Sequence, residues 1–278
     1  MNLSDRYPRP FPPPFASAWG DDEYGLWADL EVPAGGSEAV TQRLRWIPAG
    51  CFLMGSPKTE AERLDSEGPQ HEVTISRGFW LFDTACTQAL WEAVMGGNPS
   101  RFTGPDRPVE MVSWDDVQAF LAKINGMIPG LNLGLPSEAQ WEHACRAGTT
   151  TPFSFGETIT PEQVNYDGNY PYAGGEKGLY RRETVPVGGL PANSWGLYEM
   201  HGNVWEWCTD HWHDNYDSAL SDGSARVDPW AGARRFRVLR GGSWNERAQF
   251  VRAASRVGTH PDNRSDFFGF RCARVQEP

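Results

Sequence analysis

The side chains best suited to chemistry in this sequence are its five cysteines. They are Cys51, Cys86, Cys145, Cys208 and Cys272. They are widely spaced, they form no CxxC pair, and their odd number argues against a disulfide framework. Soft-metal and redox chemistry needs neighbouring thiolates. The spacing therefore predicts free, buried thiols.

Other chemical motifs are weaker. His211 and His213 alternate along the chain, as two metal ligands on one strand would, but no third ligand is recognisable nearby. This pattern favours surface histidines. The chain contains no GxGxxG, P-loop or HExxH motif and no Ser-His-Asp order. Nucleotide-dependent and hydrolytic mechanisms therefore have no recognisable residues to use.

Charge is unevenly distributed. Residues 231–274 carry ten arginines and three acidic residues, a local charge of about +7, within a chain of formal net charge −11. Trp244, Phe250, Phe267 and Phe268 are interleaved with these arginines. An acidic protein is not a general nucleic-acid binder, whereas aromatic and arginine side chains together are typical of binding hot spots.

Few regular elements should position these residues. The chain has 278 residues with 13 Trp, 30 Gly and 22 Pro, a composition that favours short elements joined by turns and an irregular α+β fold. Helices are predicted from Thr87 to Met95, from Ser113 to Gly126 and from Ser137 to Gly148, the last two from capping residues. Apolar runs at 44–47 and 73–75 predict strands. No helix is predicted beyond Gly148.

No internal repeat and no domain linker is evident, which predicts a single domain. Residues 1–23 form a Pro-rich segment that cannot be helical, and residues 24–278 form the domain. The N-terminus has no apolar signal region, and no stretch of about 18 apolar residues occurs. We expect a cytoplasmic protein with no membrane partner and no nucleic-acid partner.

Five motifs together resemble one known family. They are GCFLMGS (50–56), LPSEAQWEHACRAG (135–148), GLYEMHGNVWEWC (196–208), RVLRGGSW (237–244) and GFRCAR (269–274). In this order and spacing they are similar to the formylglycine-generating enzyme, or sulfatase-modifying factor, family over residues 44–274. The resemblance implies a single C-type-lectin-like domain with little regular secondary structure.

The resemblance stops at the residues that do the family's chemistry. Members of the family use two cysteines shortly after the GGS motif to bind copper, activate oxygen and oxidise a substrate cysteine. The stretch from Ser243 to Arg271 contains no cysteine and no methionine, and its single histidine is His260. We therefore expect neither copper nor formylglycine-generating activity.

A second family feature is retained. The resemblance implies a structural calcium ion in the loop that contains GLYEMHGNVWEW, held by the carboxylates of Glu199 and Glu206 and the carbonyls of Gly202 and Val204. Oxygen ligands on a glycine-containing turn suit calcium. The alternative is that the two glutamates face solvent or pair with arginines.

The favoured hypothesis is a non-catalytic protein that binds an unknown protein or small molecule through its C-terminal segment. The expected ligand-binding residues are Trp244, Asn245, Arg247, Phe250, Ser255, Val257, Thr259, His260, Ser265, Asp266 and Phe267. Under the same hypothesis Trp205, Trp207, Trp244 and Phe270 are buried supports. A blander alternative makes Arg252, Arg256 and Arg271 internal ion-pair partners.

Two further interpretations remain open. One resembling group is the retroelement-diversified variable proteins, whose hypervariable segment ends near a GFR-like motif, as it would at 269–271 here. The other is an oxidative tailoring or divergent formylglycine-generating enzyme that uses a non-standard site, with His260 or Asp262 as a proton-transfer group.

Overall fold

The helices form where local capping signals predict them. In the computed structural model, which describes residues 7–35, 38–228 and 235–275, they are α1 (Gln88–Met95), α2 (Trp114–Met127) and α3 (Glu138–Arg146). Ser113 and Ser137 cap α2 and α3 in reciprocal capping boxes. Gly126 lies inside α2, so the predicted end of that helix is wrong. None of the described helices is long and apolar enough to cross a membrane.

Eleven strands are described. They are β1 (Ala18–Asp22), β2 (Gly25–Val32), β3 (Val40–Ile47), β4 (Gly50–Met54), β5 (His71–Ile75), β6 (Phe79–Phe82), β7 (Trp205–His211), β8 (Arg237–Arg240), β9 (Arg256–Thr259), β10 (Phe268–Gly269) and β11 (Ala273–Val275). The strands predicted at 44–47 and 73–75 are the ends of β3 and β5. Beyond Gly148 the described residues contain strands and two short 3-10 turns but no α-helix.

The strands build three sheets. An antiparallel sheet has the order β1-β2-β3-β6-β11, a second has the order β10-β7-β8-β9, and β4 pairs with β5. In the second sheet β10 runs parallel to β7 while the other pairs are antiparallel. Because β1 pairs with β2, the boundary predicted at residue 23 falls inside a hairpin. The mixed α+β class is confirmed.

Aromatic side chains fill the core between α1, α2 and the second sheet. Trp91 stacks on Phe120 at 5.4 Å, and Phe270 meets both rings edge-on. Trp205 and Trp207 are buried in the same cluster, as their alternation in β7 predicts. Phe270, in the GFRCAR motif, thus anchors the C-terminal segment in the same core cluster as Trp205 and Trp207.

Ion pairs cross the interior. Arg240 of β8 binds Glu138 and Glu142 of α3 at 2.9 and 2.5 Å, and Arg256 of β9 binds Glu138 at 2.6 Å. All five side chains of this group, which also includes Arg146, are buried. Burial alone raises the pKa of Glu138, but Arg256 and Arg240 outweigh it and hold that pKa below its usual value. The carboxylate is therefore charged, and it ties α3 to two strands.

Candidate functional site

The candidate site begins where β8 ends. Gly241 and Gly242 follow Arg240 with φ of +96° and +73°, a conformation that favours glycine. A Cβ on Gly242 would lie 2.5 Å from Val251 and 2.6 Å from the carbonyl oxygen of Phe250. Both predicted roles of the glycine pair, positive φ and close backbone approach, are present. The turn places Trp244 just beneath the surface.

Trp244 is the centre of an aromatic cluster. Its ring lies edge-on to Phe102 at 5.4 Å and nearly parallel to Tyr180 at 6.2 Å. Its indole Nε1 donates a hydrogen bond to the backbone oxygen of Asp266 at 3.0 Å. With 8% of its surface exposed, Trp244 supports the cluster and offers little contact area itself.

Arginines surround this cluster. The guanidinium of Arg247 lies 4.5 Å from the ring centre of Tyr170, and that of Arg182 lies 5.5 Å from Tyr180. Arg101 pairs with Asp266 beside Phe102. These three arginines are exposed, and Tyr170 is 48% exposed. We call this surface the aromatic face; it consists of Arg101, Phe102, Tyr170, Tyr180, Arg182, Trp244, Arg247 and Asp266.

Backbone contacts hold the aromatic face together. Asp167 donates its N–H to the carbonyl of Glu246, and Ala248 donates to the carbonyl of Tyr170. Asp167 also forms an isolated antiparallel β-bridge with Tyr180. The loop after β8 and the turns between 165 and 182 are therefore one unit, although they are about 70 residues apart in sequence.

The structure does not bring all the predicted ligand-binding residues into one surface. Asn245, Ser265, Asp266 and Phe267 are partly exposed near Trp244. Val257 and Thr259 belong to β9, which lies at the opposite edge of the sheet from β10, and His260 packs on Phe236 at 4.4 Å. With strands about 4.8 Å apart, three strand spacings separate the two edges. The predicted contiguous surface is therefore divided.

Two predicted contact residues are corrected further. Ser255 is completely buried. It lies between Ala253, whose carbonyl accepts a hydrogen bond from Arg240, and Arg256, which pairs with Arg240 in the sheet. Phe250 is half-buried and packs against the core. Neither supplies an exposed contact. The predicted burial of Trp205, Trp207, Trp244 and Phe270 is confirmed.

The arginines of the C-terminal segment fall into a buried group and an exposed group. Arg252 is buried and binds Glu67 at 2.5 Å and Glu60 at 2.5 Å, and Arg271 binds Glu206 at 2.7 Å. Arg256 binds Glu138. Arg252, Arg256 and Arg271 are therefore internal ion-pair partners, as the alternative interpretation predicted. Arg247 and Arg264 remain at the surface.

Four of the five thiols are enclosed in the interior. Cys86, Cys145, Cys208 and Cys272 are buried, and burial raises the pKa of each of them above its usual value. Cys51 is exposed, and its sulfur contacts Thr74. Protonated, enclosed thiols are poor ligands for a soft metal. The prediction of buried free thiols is confirmed for four of the five.

The predicted histidine surface is only partly correct. His211 is buried, and its Nδ1 accepts a hydrogen bond from the N–H of Asp228. Burial lowers the pKa of His211 to about 4, so the ring is neutral. Within residues 7–35, 38–228 and 235–275, no three His, Cys, Asp or Glu side chains converge as a metal site.

The two carboxylates among the predicted calcium ligands have other partners. Both oxygens of Glu206 accept hydrogen bonds from Arg271, at 2.7 and 2.8 Å, and one also accepts from the Trp141 indole at 2.7 Å. The carboxylate of Glu199 accepts from the N–H groups of Gly188 and Leu190. Gly202 forms the predicted tight turn, and Val204 is buried.

These contacts favour the alternative, in which Glu206 pairs with an arginine. The guanidinium and the indole occupy three of the roughly four lone-pair positions of this carboxylate, and the guanidinium adds positive charge at the same point. Glu206 therefore does not fit as a calcium ligand. Calcium binding elsewhere in the loop stays a prediction.

Sequence reasoning missed the half of the aromatic face that precedes residue 200. Arg101-Phe102 and Tyr180-Arg181-Arg182 repeat the aromatic and arginine composition of the C-terminal segment. That composition was the available signal. It carried no information on which distant segment would pack against Trp244.

We expect Glu206→Gln to destabilise the fold by about 3–5 kcal/mol, because Arg271 is left as an unpaired buried charge. If the Arg271 ion pair takes the place of calcium at Glu206, EDTA should leave the melting temperature of the native protein unchanged, whereas calcium bound elsewhere in the loop should make it fall on chelation. Differential scanning fluorimetry of both proteins, with EDTA or with calcium, measures this. A fall on chelation that calcium reverses would restore the calcium site, since a bound ion stabilises by mass action.

Comparison with known proteins supports the resemblance. The model of the sulfatase-modifying factor enzyme 1-like domain matches residues 34–276. A formylglycine-generating enzyme of Thermomonospora curvata is 28% identical over 305 aligned residues, covering 88% of this chain and 97% of the relative.

Two solved structures are similar throughout. PvdO from Pseudomonas aeruginosa is 30% identical with a TM-score of 0.73, covering 94% of this chain and 99% of its own. Variable protein 1 of Treponema denticola is 26% identical with a TM-score of 0.68, covering 88% and 98%. The fold is the one that the motifs predicted. This chain belongs to the family of the sulfatase-modifying factor enzyme 1-like domain.

Proposed function

We propose that this protein is a non-catalytic binding protein whose aromatic face receives a protein or small-molecule ligand. The observation that carries the proposal is the cluster of Phe102, Tyr180 and Trp244 with exposed arginines around it. It occupies the surface next to the GGS motif, where the chain has no thiol pair. Arginine and aromatic side chains are the residues most enriched at binding hot spots.

The ligand chemistry follows from the side chains that reach solvent. Tyr170 and Tyr180 offer flat apolar surfaces with hydroxyl groups, and Arg182 and Arg247 offer rigid donors. Both arginines already lie against tyrosine rings. Such stacking limits their mobility and reduces the entropy lost on binding. A planar or anionic group on the ligand suits this surface.

Buried ion pairs hold the scaffold beneath the aromatic face in place. Arg252 joins the segment after Trp244 to Glu60 and Glu67, and Arg256 joins it to Glu138. Removing one partner from such a pair strands a buried charge. The residues that contact the ligand must therefore be those whose side chains are exposed.

The likeness to a variable protein supports one version of this function. The relative from Treponema denticola carries that word in its name and is similar over most of both chains. In a diversified protein, substitutions would fall on surface side chains such as Asn245 and Arg247. Ser255 would be excluded, because it is completely buried.

We expect the aromatic face to tolerate simultaneous variation. A yeast-display library randomised at Arg101, Tyr170, Arg182 and Arg247, the exposed residues of the face, should remain folded, since each exposed change alters stability by within about ±0.5 kcal/mol. Selection against hen lysozyme as a test target should yield binders. Display level after heating reports folding.

A matched library at Arg252, Ser255 and Arg256 is the control. Breaking a buried pair costs about 3–5 kcal/mol, against a total stability of about 5–15 kcal/mol for a typical protein. Most of its clones should be lost on heating. Equal survival of the two libraries, or an aromatic-face library that unfolds, would contradict the proposal.

We expect no formylglycine-generating turnover. The segment from Ser243 to Arg271 has no thiolate to hold Cu(I), and the four buried thiols are held protonated by burial. Incubation of the protein with a sulfatase-motif peptide, copper and oxygen should leave the peptide cysteine unchanged by mass spectrometry. Catalytic conversion by this chain, with an active family member as positive control, would favour the enzyme alternative.

A further inference from the structure

A second cleft lies at the other end of the chain. It has a volume of about 480 Å³, within the range of small-molecule sites. The β1–β2 hairpin and the end of β3 form its walls, and it is lined by Tyr7, Asp21, Tyr24, Gly25, Leu26, Trp46, Pro48, Ala49 and Trp195. None of these residues belongs to the aromatic face.

Four aromatic rings line this cleft, and packing holds two of them in place. Trp46 meets Trp80 edge-on at 5.4 Å and is almost fully buried. Trp195 meets His143 edge-on at 5.0 Å, and that histidine is bound to the carbonyl of Pro48. Tyr7 is 63% exposed and stands at the rim. The four rings form much of the wall of the cleft, and the two packed tryptophans give it a rigid base.

The charge in the cleft is negative. Asp21 is exposed, and in the described part of the chain no hydrogen bond or ion pair engages its carboxylate. Its neighbour Asp22 forms an ion pair with Arg45 at 2.6 Å. The charge of Arg45, which lies against the ring of Tyr24, is therefore already balanced. The described lining residues include no lysine or arginine. An anionic ligand would find no counter-charge here.

We propose that this cleft binds an alkylated ammonium group, as found on quaternary amines. Aromatic faces attract such a cation through their quadrupoles, most strongly when solvent is excluded. A primary ammonium carries three N–H donors and would need several acceptors, whereas Asp21 is the only carboxylate among the lining residues that the structure describes. A quaternary ammonium has no donors, so rings and one carboxylate satisfy it.

Choline and its neutral isostere 3,3-dimethyl-1-butanol test this site. Titration of the full chain at constant ionic strength, followed by calorimetry and by tryptophan fluorescence, should show choline binding at least about tenfold more tightly, because only the cation gains the interaction with the rings. Asp21→Asn should weaken choline binding about fivefold or more. Tyr7→Ala, an exposed change that spares folding, should also weaken it.

Glu23→Gln is the matched control, because Glu23 is an exposed carboxylate in the same hairpin that does not line the cleft. It should leave choline affinity within about twofold, since an exposed charge outside the cleft is screened. Equal affinity for choline and the alcohol, no detectable choline binding, or equal losses in the Asp21 and Glu23 variants would overturn the proposal. None of these outcomes bears on the aromatic face.

Discussion

Buried pairs of arginine and glutamate hold this fold in register. Arg240, Arg252, Arg256 and Arg271 come from the last 40 residues, and each binds at least one glutamate from an earlier segment. Each pair bridges segments that are 65 or more residues apart in sequence. With so little regular secondary structure, the chain relies on these directional contacts to position its turns. A buried charge is tolerated only while its partner remains in place.

The same pairs explain why the C-terminal charge is not a basic surface. The segment is rich in arginine, yet its most central guanidinium groups face inward. Only the arginines without an internal carboxylate, such as Arg247, reach the surface to stack on tyrosine. Burial thus separates the arginines of this segment into an internal set and an exposed set. The binding function proposed above uses only the exposed set.

Local signals predicted the helices well. Ser113 and Ser137 mark the starts of α2 and α3, because each caps its helix together with the residue three positions later. The end of α2 was less predictable, since Gly126 is tolerated inside a helix at a modest cost. The aromatic face depends on long-range contacts between Trp244, Phe102 and Tyr180, which no local pattern encodes. Composition indicated arginine and aromatic residues, but only the strand order showed that β9 and β10 lie at opposite edges.

The central claim is that the buried arginines belong to the scaffold and the exposed ones do not. Urea denaturation of Arg240→Ala and Arg264→Ala tests it most directly. Arg240 is completely buried between Glu138 and Glu142, whereas Arg264 is half exposed and pairs with Asp116 at the surface. The account predicts that the first variant loses about 3–5 kcal/mol of unfolding free energy and the second at most about 1 kcal/mol. Equal losses in the two variants would contradict it.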